Sequence, residues 1–473
     1  MNVAGSNAPR SDPVTAMPMR LRRLDLAAAE HDPAVAAERD ALLRRGAVPD
    51  ARVRDAVRAI LADIRSNPDS AVAAASARFG GGLADGRLVL GPAEMAAARD
   101  ALSPEIRAAL EQSIANVRRF AETQRPATTV TEVMPGIQIE RRWLPLDRVG
   151  VYVPGGTAPY PSSLVMGVVP ARVAGVAHVT VASPAGKDGS VNPVLLDAAG
   201  LLGVDAFVVA GGAQGIGALA YGLPGAGLLP VDRIVGPGNA WVTAAKIELV
   251  GEVGIDLPAG PSEGMVLADA GADPVQVAAD LITQAEHGPD SPALLVTNDA
   301  ALADAVEAEI NRQLAGALRR AILDQALATH GRIVLVPTLQ AGIDFVNAYG
   351  PEHLSVEVGR LEETVALLRN AGSIFVGPWA PESAGDYATG ANHVLPTGGL
   401  ARSCGPLAVE AFGKYSQVQR ITRDGLASIR RTVGVLATAE GLEAHRAAIE
   451  VRFRADPVHS AAGAATPSQE ADR

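Results

Sequence analysis

A chain of 473 residues, 48% of them hydrophobic and only 3% aromatic, carries enough apolar mass for two or three domains with cores built mainly from Ala, Val, Leu and Gly. The formal net charge of −11 argues against nucleic acid or an anionic membrane as a main partner. A single cysteine, Cys404, excludes an intrachain disulfide framework and fits a reducing compartment. No apolar run of about 18 residues is free of charge or proline, and the N-terminus lacks the apolar stretch of a secretory signal, so the expectation is a cytoplasmic protein.

Residues 1–18 and 456–473 are rich in small and polar side chains and read as disordered tails. The stretch from Leu21 to Arg148 reads as mostly helical. Its clearest amphipathic segments are 52–65 and 104–124, with a turn at Gly80-Gly81-Gly82. From Val149 the pattern becomes strand, Gly-rich turn, helix. Strands are expected at 150–153, 178–182, 206–210 and 233–236. A second series follows the joint Ala259-Gly260-Pro261-Ser262-Glu263, with strands at 265–268, 293–297, 333–336, 354–358 and 373–376. Such alternation predicts an α/β protein with two Rossmann-like, incomplete domains built on parallel sheets. Ligands are then expected in the cleft between them, at the carboxyl ends of the strands. After Pro378 the chain reads as irregular, and helical text resumes from Thr422 to about Arg454. That tail is too short for a core of its own, so it must pack on something else, another subunit included.

Asp273-Pro274-Val275-Gln276 has the layout of a helix start, and Val275, Ala278, Leu281, Ile282 and Ala285 recur at helical spacing until Gly288-Pro289. Gln284 and His287 then share one face of the last turn, either as a polar cap or as half of a metal site. Pro351-Glu352-His353-Leu354 sets an acid and an imidazole before a strand, suited to general base work or simply to a solvated loop. Asp386, His393 and His445 are further candidates. Gln284, His287, Asp386 and His445 together would form a mixed O/N set suited to Zn²⁺ or Mn²⁺. Gly215-Ile216-Gly217-Ala218-Leu219-Ala220 matches GxGxxA, but no acidic residue ends a following strand at the usual spacing, so the match reads as accidental. The turns at Val153-Pro154-Gly155-Gly156, Gly211-Gly212-Ala213-Gln214 and Gly236-Pro237-Gly238-Asn239 are either plain tight turns or the floor of a cofactor site. In the second case Tyr152, Gln214 and Asn239 would supply its polar contacts. Cys404 has no evident base beside it and reads as a small buried residue.

The sequence resembles the histidinol dehydrogenase family. The resemblance rests on Gln-Ala-Glu-His-Gly-Pro-Asp at 284–290, Gly-Pro-Glu-His-Leu at 350–354, Ser-Ala-Gly-Asp-Tyr at 383–387 and Asn-His-Val-Leu-Pro-Thr at 392–397. Tyr-Val-Pro-Gly-Gly at 152–156 and Ala-Gly-Pro-Ser-Glu at 259–263 complete it. It implies oxidation of L-histidinol to L-histidine with two NAD⁺ through a bound aldehyde, the last step of histidine biosynthesis. It implies one Zn²⁺ per subunit held by Gln284, His287, Asp386 and His445, with His445 and Glu440 donated across a homodimer. His353 is then the general base and Glu352 the residue that activates water. Ser262 and Glu440 are substrate contacts alongside the metal ligands and His353, and Tyr152, Gln214 and Asn239 are NAD contacts. The implied layout is an extension at 19–40, a helical part of the first α/β domain at 41–148, the second, NAD-side domain at 149–261, the remainder of the first at 262–405, and a dimer-contact segment at 406–455. Paralogues acting on other small polar alcohols, such as a sulfopropanediol, share the resemblance, so an NAD-dependent dehydrogenase of such an alcohol is the alternative. A zinc hydrolase would need no cofactor floor, and a binding protein would have no turnover to lose.

Overall fold

The computed structural model describes residues 18–155 and 159–454. The expected tails, Pro18 apart, and Gly156 of the first Gly-rich turn lie outside the described residues. In chain order the strands are β1 (Arg22–Asp25), β2 (Val89–Leu90), β3 (Thr129–Met134), β4 (Ile137–Pro145), β5 (Arg148–Tyr152), β6 (His178–Ser183), β7 (Ala206–Val209) and β8 (Arg233–Val235). There follow β9 (Gly254–Ile255), β10 (Gly264–Ala268), β11 (Ala293–Thr297), β12 (Arg332–Leu335), β13 (His353–Glu357), β14 (Ser373–Val376) and β15 (Gly413–Ile421). The strands expected from Val149 to Val376 are all present within a residue or two of their predicted ends.

Two six-stranded sheets carry most of the chain, ordered β2-β7-β6-β5-β8-β9 and β1-β12-β11-β10-β13-β14. The second is parallel throughout, and the first is parallel except for β2, which runs against β7. Both sheets share one plan. The first strand of each series, β5 or β10, lies centrally, its two successors go to one side, and the next two to the other. Strands such as β10 and β11 are buried at every position, as their continuous apolar runs require when helices cover both faces.

The described residues from Pro18 to Arg125 and those within Pro145–Gly413 form one compact unit containing both six-stranded sheets. Its helices Ala51–Ser66 and Pro68–Phe79 pack on the β5-centred sheet, where Val57, Leu61, Ile64 and Val72 join the core of Ile216, Leu219 and Ile234. The layout above grouped 41–148 with 262–405; these two helices pack on the other sheet, whereas Leu42 and Leu43 join the core of Leu267 and Val346. Gly217 permits the close approach, because a Cβ there would lie 2.8 Å from Ile64 Cδ1.

Pro126–Leu144 and the described residues from Lys414 to Arg454 form the other unit. There the sheet β15-β4-β3 meets the start of the helix Arg423–Ala439 at Gly136, and that helix packs on Glu443–Glu450. The β3–β4 hairpin falls in text expected to be mostly helical. Its turn needs Gly136, whose φ is +78° and whose Cβ would press on Thr422 and Gly425. The tail therefore shares a small layer with this hairpin, and Trp143 and Tyr415 meet edge to face at 5.3 Å.

Candidate active site

The helix Pro274–Glu286 begins as its sequence suggests, with the Asp273 carboxylate accepting from the Val275 N–H at 2.9 Å. Val277, Ala278, Leu281 and Ala285 bury its apolar face against β10 and β11. Because a crossover helix runs back along its sheet, its last turn returns Gln284 and His287 to the amino edge of β10 and β13. At that edge Ser262 and Glu263 lead into β10, and Glu352 leads into β13, whose first residue, His353, is in register with Gly264. The acid–base and ligand candidates thus gather at amino ends, where carboxyl ends were expected. The turns after β5 and β8 in the other sheet do lie at carboxyl ends.

One carboxylate organises the substrate side. Glu352 Oε2 accepts from the Ser262 hydroxyl at 2.8 Å and from the Glu263 N–H at 2.9 Å. Gln284 Nε2 donates to Ser262 Oγ at 3.3 Å, which leaves Gln284 Oε1 buried without a hydrogen-bond partner. Gln284 lies directly over Gly264, where a Cβ would come within 2.7 Å of Gln284 Cγ and Oε1. Gly264→Ala is therefore expected to lower stability by about 1–3 kcal/mol through overpacking and to displace Gln284. Thermal denaturation checks the first effect and a crystal structure of the variant the second; an unchanged melting temperature with Gln284 in place would contradict them.

A second carboxylate joins two imidazoles. Glu382 Oε1 meets His287 Nε2 at 3.2 Å and lies 3.8 Å from His353 Nδ1, while Asp386 Oδ2 is 3.8 Å from His287 Nε2. His287, Glu382 and Asp386 offer ligand atoms within 4.8 Å of one another. Glu352 Oε2 is also 3.7 Å from His353 Nδ1, so both acids flank the same ring nitrogen. A proton on Nδ1 then leaves His353 Nε2, buried and without a hydrogen-bond partner, as an acceptor.

The electrostatics follow from burial working against pairing. Burial raises the Glu352 carboxyl, and His353 with the Glu263 and Ser262 hydrogen bonds offsets this only in part. For His353 burial disfavours the cation, but Glu382, Glu352 and Asp386 outweigh it and the net shift is upward. For His287 burial is likewise overcome, mainly by Glu382, and its pKa is pushed up to about 9. Glu382 would be raised by its burial, yet the two imidazoles hold it below the usual range. His393 is pushed down by burial. Carboxylates and imidazoles gathered in this way form a donor set that suits a cation.

Two cavities open on this region. One, of about 440 Å³, is lined by His287, Glu352, His353, Asp386, His393 and Asn239 among others. The other, of about 410 Å³, takes in Tyr152, Gln214 and Asn239 with Phe79, Pro184 and Trp241. Tyr152 is buried, its hydroxyl accepts from the Gly212 N–H at 3.0 Å, and burial pushes its pKa up to about 12. The GxGxxA match lies inside the helix Gly212–Tyr221, where Gly215 clears the Ala210 carbonyl and Gly217 clears Ile64, so these glycines serve packing.

Comparison with known proteins shows what this arrangement resembles. The sequence profile described as histidinol dehydrogenase matches residues 43–453. The histidinol dehydrogenase of Leifsonia xyli subsp. xyli is 46% identical over 398 residues, which cover 83% of this chain and 91% of that protein. That of Methanosarcina barkeri is 43% identical, covering 89% and 96%. The chain belongs to the histidinol dehydrogenase family. A crystal structure of histidinol dehydrogenase from Elizabethkingia anophelis superimposes with a TM-score of 0.84 at 33% identity, covering 93% of this chain and 99% of that one.

Within this histidinol dehydrogenase family member, the structure brings Ser262, Gln284, His287, Glu352, His353 and Asp386 into one neighbourhood, and Tyr152, Gln214 and Asn239 into another. Glu440 and His445 belong to the other unit, where both are exposed. Glu382 is the residue that the sequence reading missed. The chain after Pro378 was expected to be irregular, but Glu382–Tyr387 is a short helix, so Glu382 and Asp386 lie one turn apart on the same face. The spacing of those two acids was the available signal. Cys404 is exposed, contrary to the buried reading, because it follows the surface turn Leu400–Arg402.

Proposed function

We propose that this protein oxidises L-histidinol to L-histidine in two steps, each reducing one NAD⁺, as the closing reaction of histidine biosynthesis. The observation that carries this reading is the buried Glu352–His353 pair set beside His287 and Asp386 in one cavity, with Glu382 bridging the two imidazoles. Gln284, His287 and Asp386 are the proposed zinc ligands, completed by His445 of the partner subunit. The unpartnered Gln284 Oε1 is an oxygen donor that fits this role. When bound, Zn²⁺ supplies a template for the substrate's amine and imidazole, and NAD⁺ in the cavity of Tyr152, Gln214 and Asn239 supplies the hydride acceptor.

The chain's own groups handle the protons. In the first half-reaction His353 Nε2 takes the hydroxyl proton as the carbon gives up hydride, so that alcohol and NAD⁺ give aldehyde, NADH and H⁺. In the second, Glu352 removes a proton from water as its oxygen attacks the aldehyde carbon. The hydrate then loses hydride in turn, giving carboxylate, NADH and two further protons. The upward pull of burial on Glu352 makes it a stronger base than an exposed carboxylate, which suits that task. Ser262 holds Glu352 in place through its 2.8 Å bond and borders the substrate. Keeping both steps in one cavity retains the reactive aldehyde.

The second unit supports a homodimer in which Glu440 of the partner subunit contacts substrate. Its Val130, Val133, Leu436, Leu442 and Val451 are exposed apolar side chains that a subunit interface would cover. No helix among the described residues is long and apolar enough to cross a membrane, and the proposed location is the cytoplasm.

The test is the NADH yield from limiting L-histidinol with zinc-loaded protein and excess NAD⁺. Two NADH per histidinol are expected. A yield of one would limit the chemistry to a single oxidation, and none would send the assignment to another polar alcohol.

A further inference from the structure

The turn after β8 is clamped by a buried ion pair that lines neither cavity. Gly236 has a φ of +113°, and a Cβ there would lie 2.1 Å from the Tyr152 carbonyl oxygen, so β5 and β8 part around a position open only to glycine. Both polar groups of Gly236 are taken by charged side chains. Lys246 Nζ donates to its carbonyl oxygen at 2.9 Å, and Asp256 Oδ2 accepts from its N–H at 2.7 Å. Lys246 Nζ also pairs with Asp256 Oδ1, and each side chain is only 2% exposed.

The two charges come from the two segments that border the proposed chemistry. Lys246 stands on the helix Ala240–Glu248, which Asn239 caps by accepting from the N–H groups of Trp241 and Val242. Asp256 follows β9 and leads into Ala259-Gly260-Pro261-Ser262, whose Ala259 carbonyl accepts from the Thr243 hydroxyl of the same helix at 2.5 Å. Asn239 borders both cavities, and Ser262 borders the one holding Glu352 and His353. One ion pair therefore references the turn at 236–239 to the joint at 259–262. Such a pair is a poor source of net stability, because desolvating the two charges offsets their attraction, whereas it fixes geometry well.

We infer that Lys246 and Asp256 are positioning residues that hold the cofactor-side turn against the substrate-side joint and so align donor and acceptor for hydride transfer. The inference rests on the dehydrogenase reading above. It is tested on the zinc-loaded, full-length protein by comparing wild type with Lys246→Met, Asp256→Asn and the double variant, varying NAD⁺ and histidinol separately. In each single variant kcat is expected to fall by about tenfold or more and the KM for NAD⁺ to rise several-fold, with the KM for histidinol and the zinc content unchanged, since small misalignments are expensive in rate. The double variant is expected to be no worse than either single one, because the pair acts as a unit. Lowered melting temperatures with kcat and the NAD⁺ KM within about twofold of wild type would overturn the inference, leaving the pair a purely structural one. If a single variant does not fold, the double variant, which leaves no uncompensated charge, decides by the same readouts. A wild type that makes no NADH from histidinol would overturn the underlying reading, and this one with it.

Discussion

His353→Asn is expected to give a folded protein that still takes up zinc but turns over histidinol roughly 10²–10⁴-fold more slowly. The asparagine amide can still donate towards Glu352 and Glu382, the two carboxylates that flank Nδ1 at 3.7 and 3.8 Å. Those buried anions therefore keep a polar neighbour, and the packing beside Phe375 changes little. What disappears is Nε2, a buried ring nitrogen without a hydrogen-bond partner and the proposed acceptor of the alcohol proton. Steady-state rates measured beside circular dichroism and elemental analysis separate the two effects. A near-normal rate would remove His353 from the mechanism.

The second large effect is expected from His287→Asn, which should lose tightly bound zinc while its backbone fold survives. His287 caps the end of its helix with a ring about one third exposed, so the substitution leaves the buried core of Val277, Leu281 and Ala285 intact. The oxygens of Gln284 and Asp386 would remain with the partner's His445, and a set so shifted towards oxygen suits harder cations better than zinc. Even outer-sphere partners of a ligand are worth about 10–100-fold in affinity, so removal of a direct nitrogen donor is expected to weaken zinc by more than about 100-fold. Elemental analysis after dialysis reads this directly. Full zinc occupancy in the purified variant would exclude His287 as a ligand. Activity alone would not discriminate, because either histidine variant is slow.

Local chemistry made much of this protein legible before any tertiary contact was known. Runs of Val, Ile and Leu between Gly-rich turns announce buried parallel strands, and β10, β11 and β14 begin and end within a residue of where those runs do. Asp273-Pro274 announces a helix start because the cap and the fixed proline φ act within three residues. Glu352-His353 and Gln284-x-x-His287 are chemical pairs already in sequence. Other features depend on which distant segments meet. The hairpin of β3 and β4 was read as helical text although Thr129-Val130-Thr131-Glu132 alternates at strand period. Its exposed residues give no core-facing stripe to reveal it. Helix Ala51–Ser66 shows an apolar face, but its packing partner, with Gly217 against Ile64, is met only in the tertiary structure. Glu382 became part of the site through a six-residue helix too short to leave a periodic trace. The return of crossover helices set the ligand candidates at the amino edge of β10 and β13. Periodicity and capping act over one or two turns and are written in neighbouring residues, whereas convergence of Gln284, Glu352 and Glu382 needs chain closures of many tens of residues that no local pattern records.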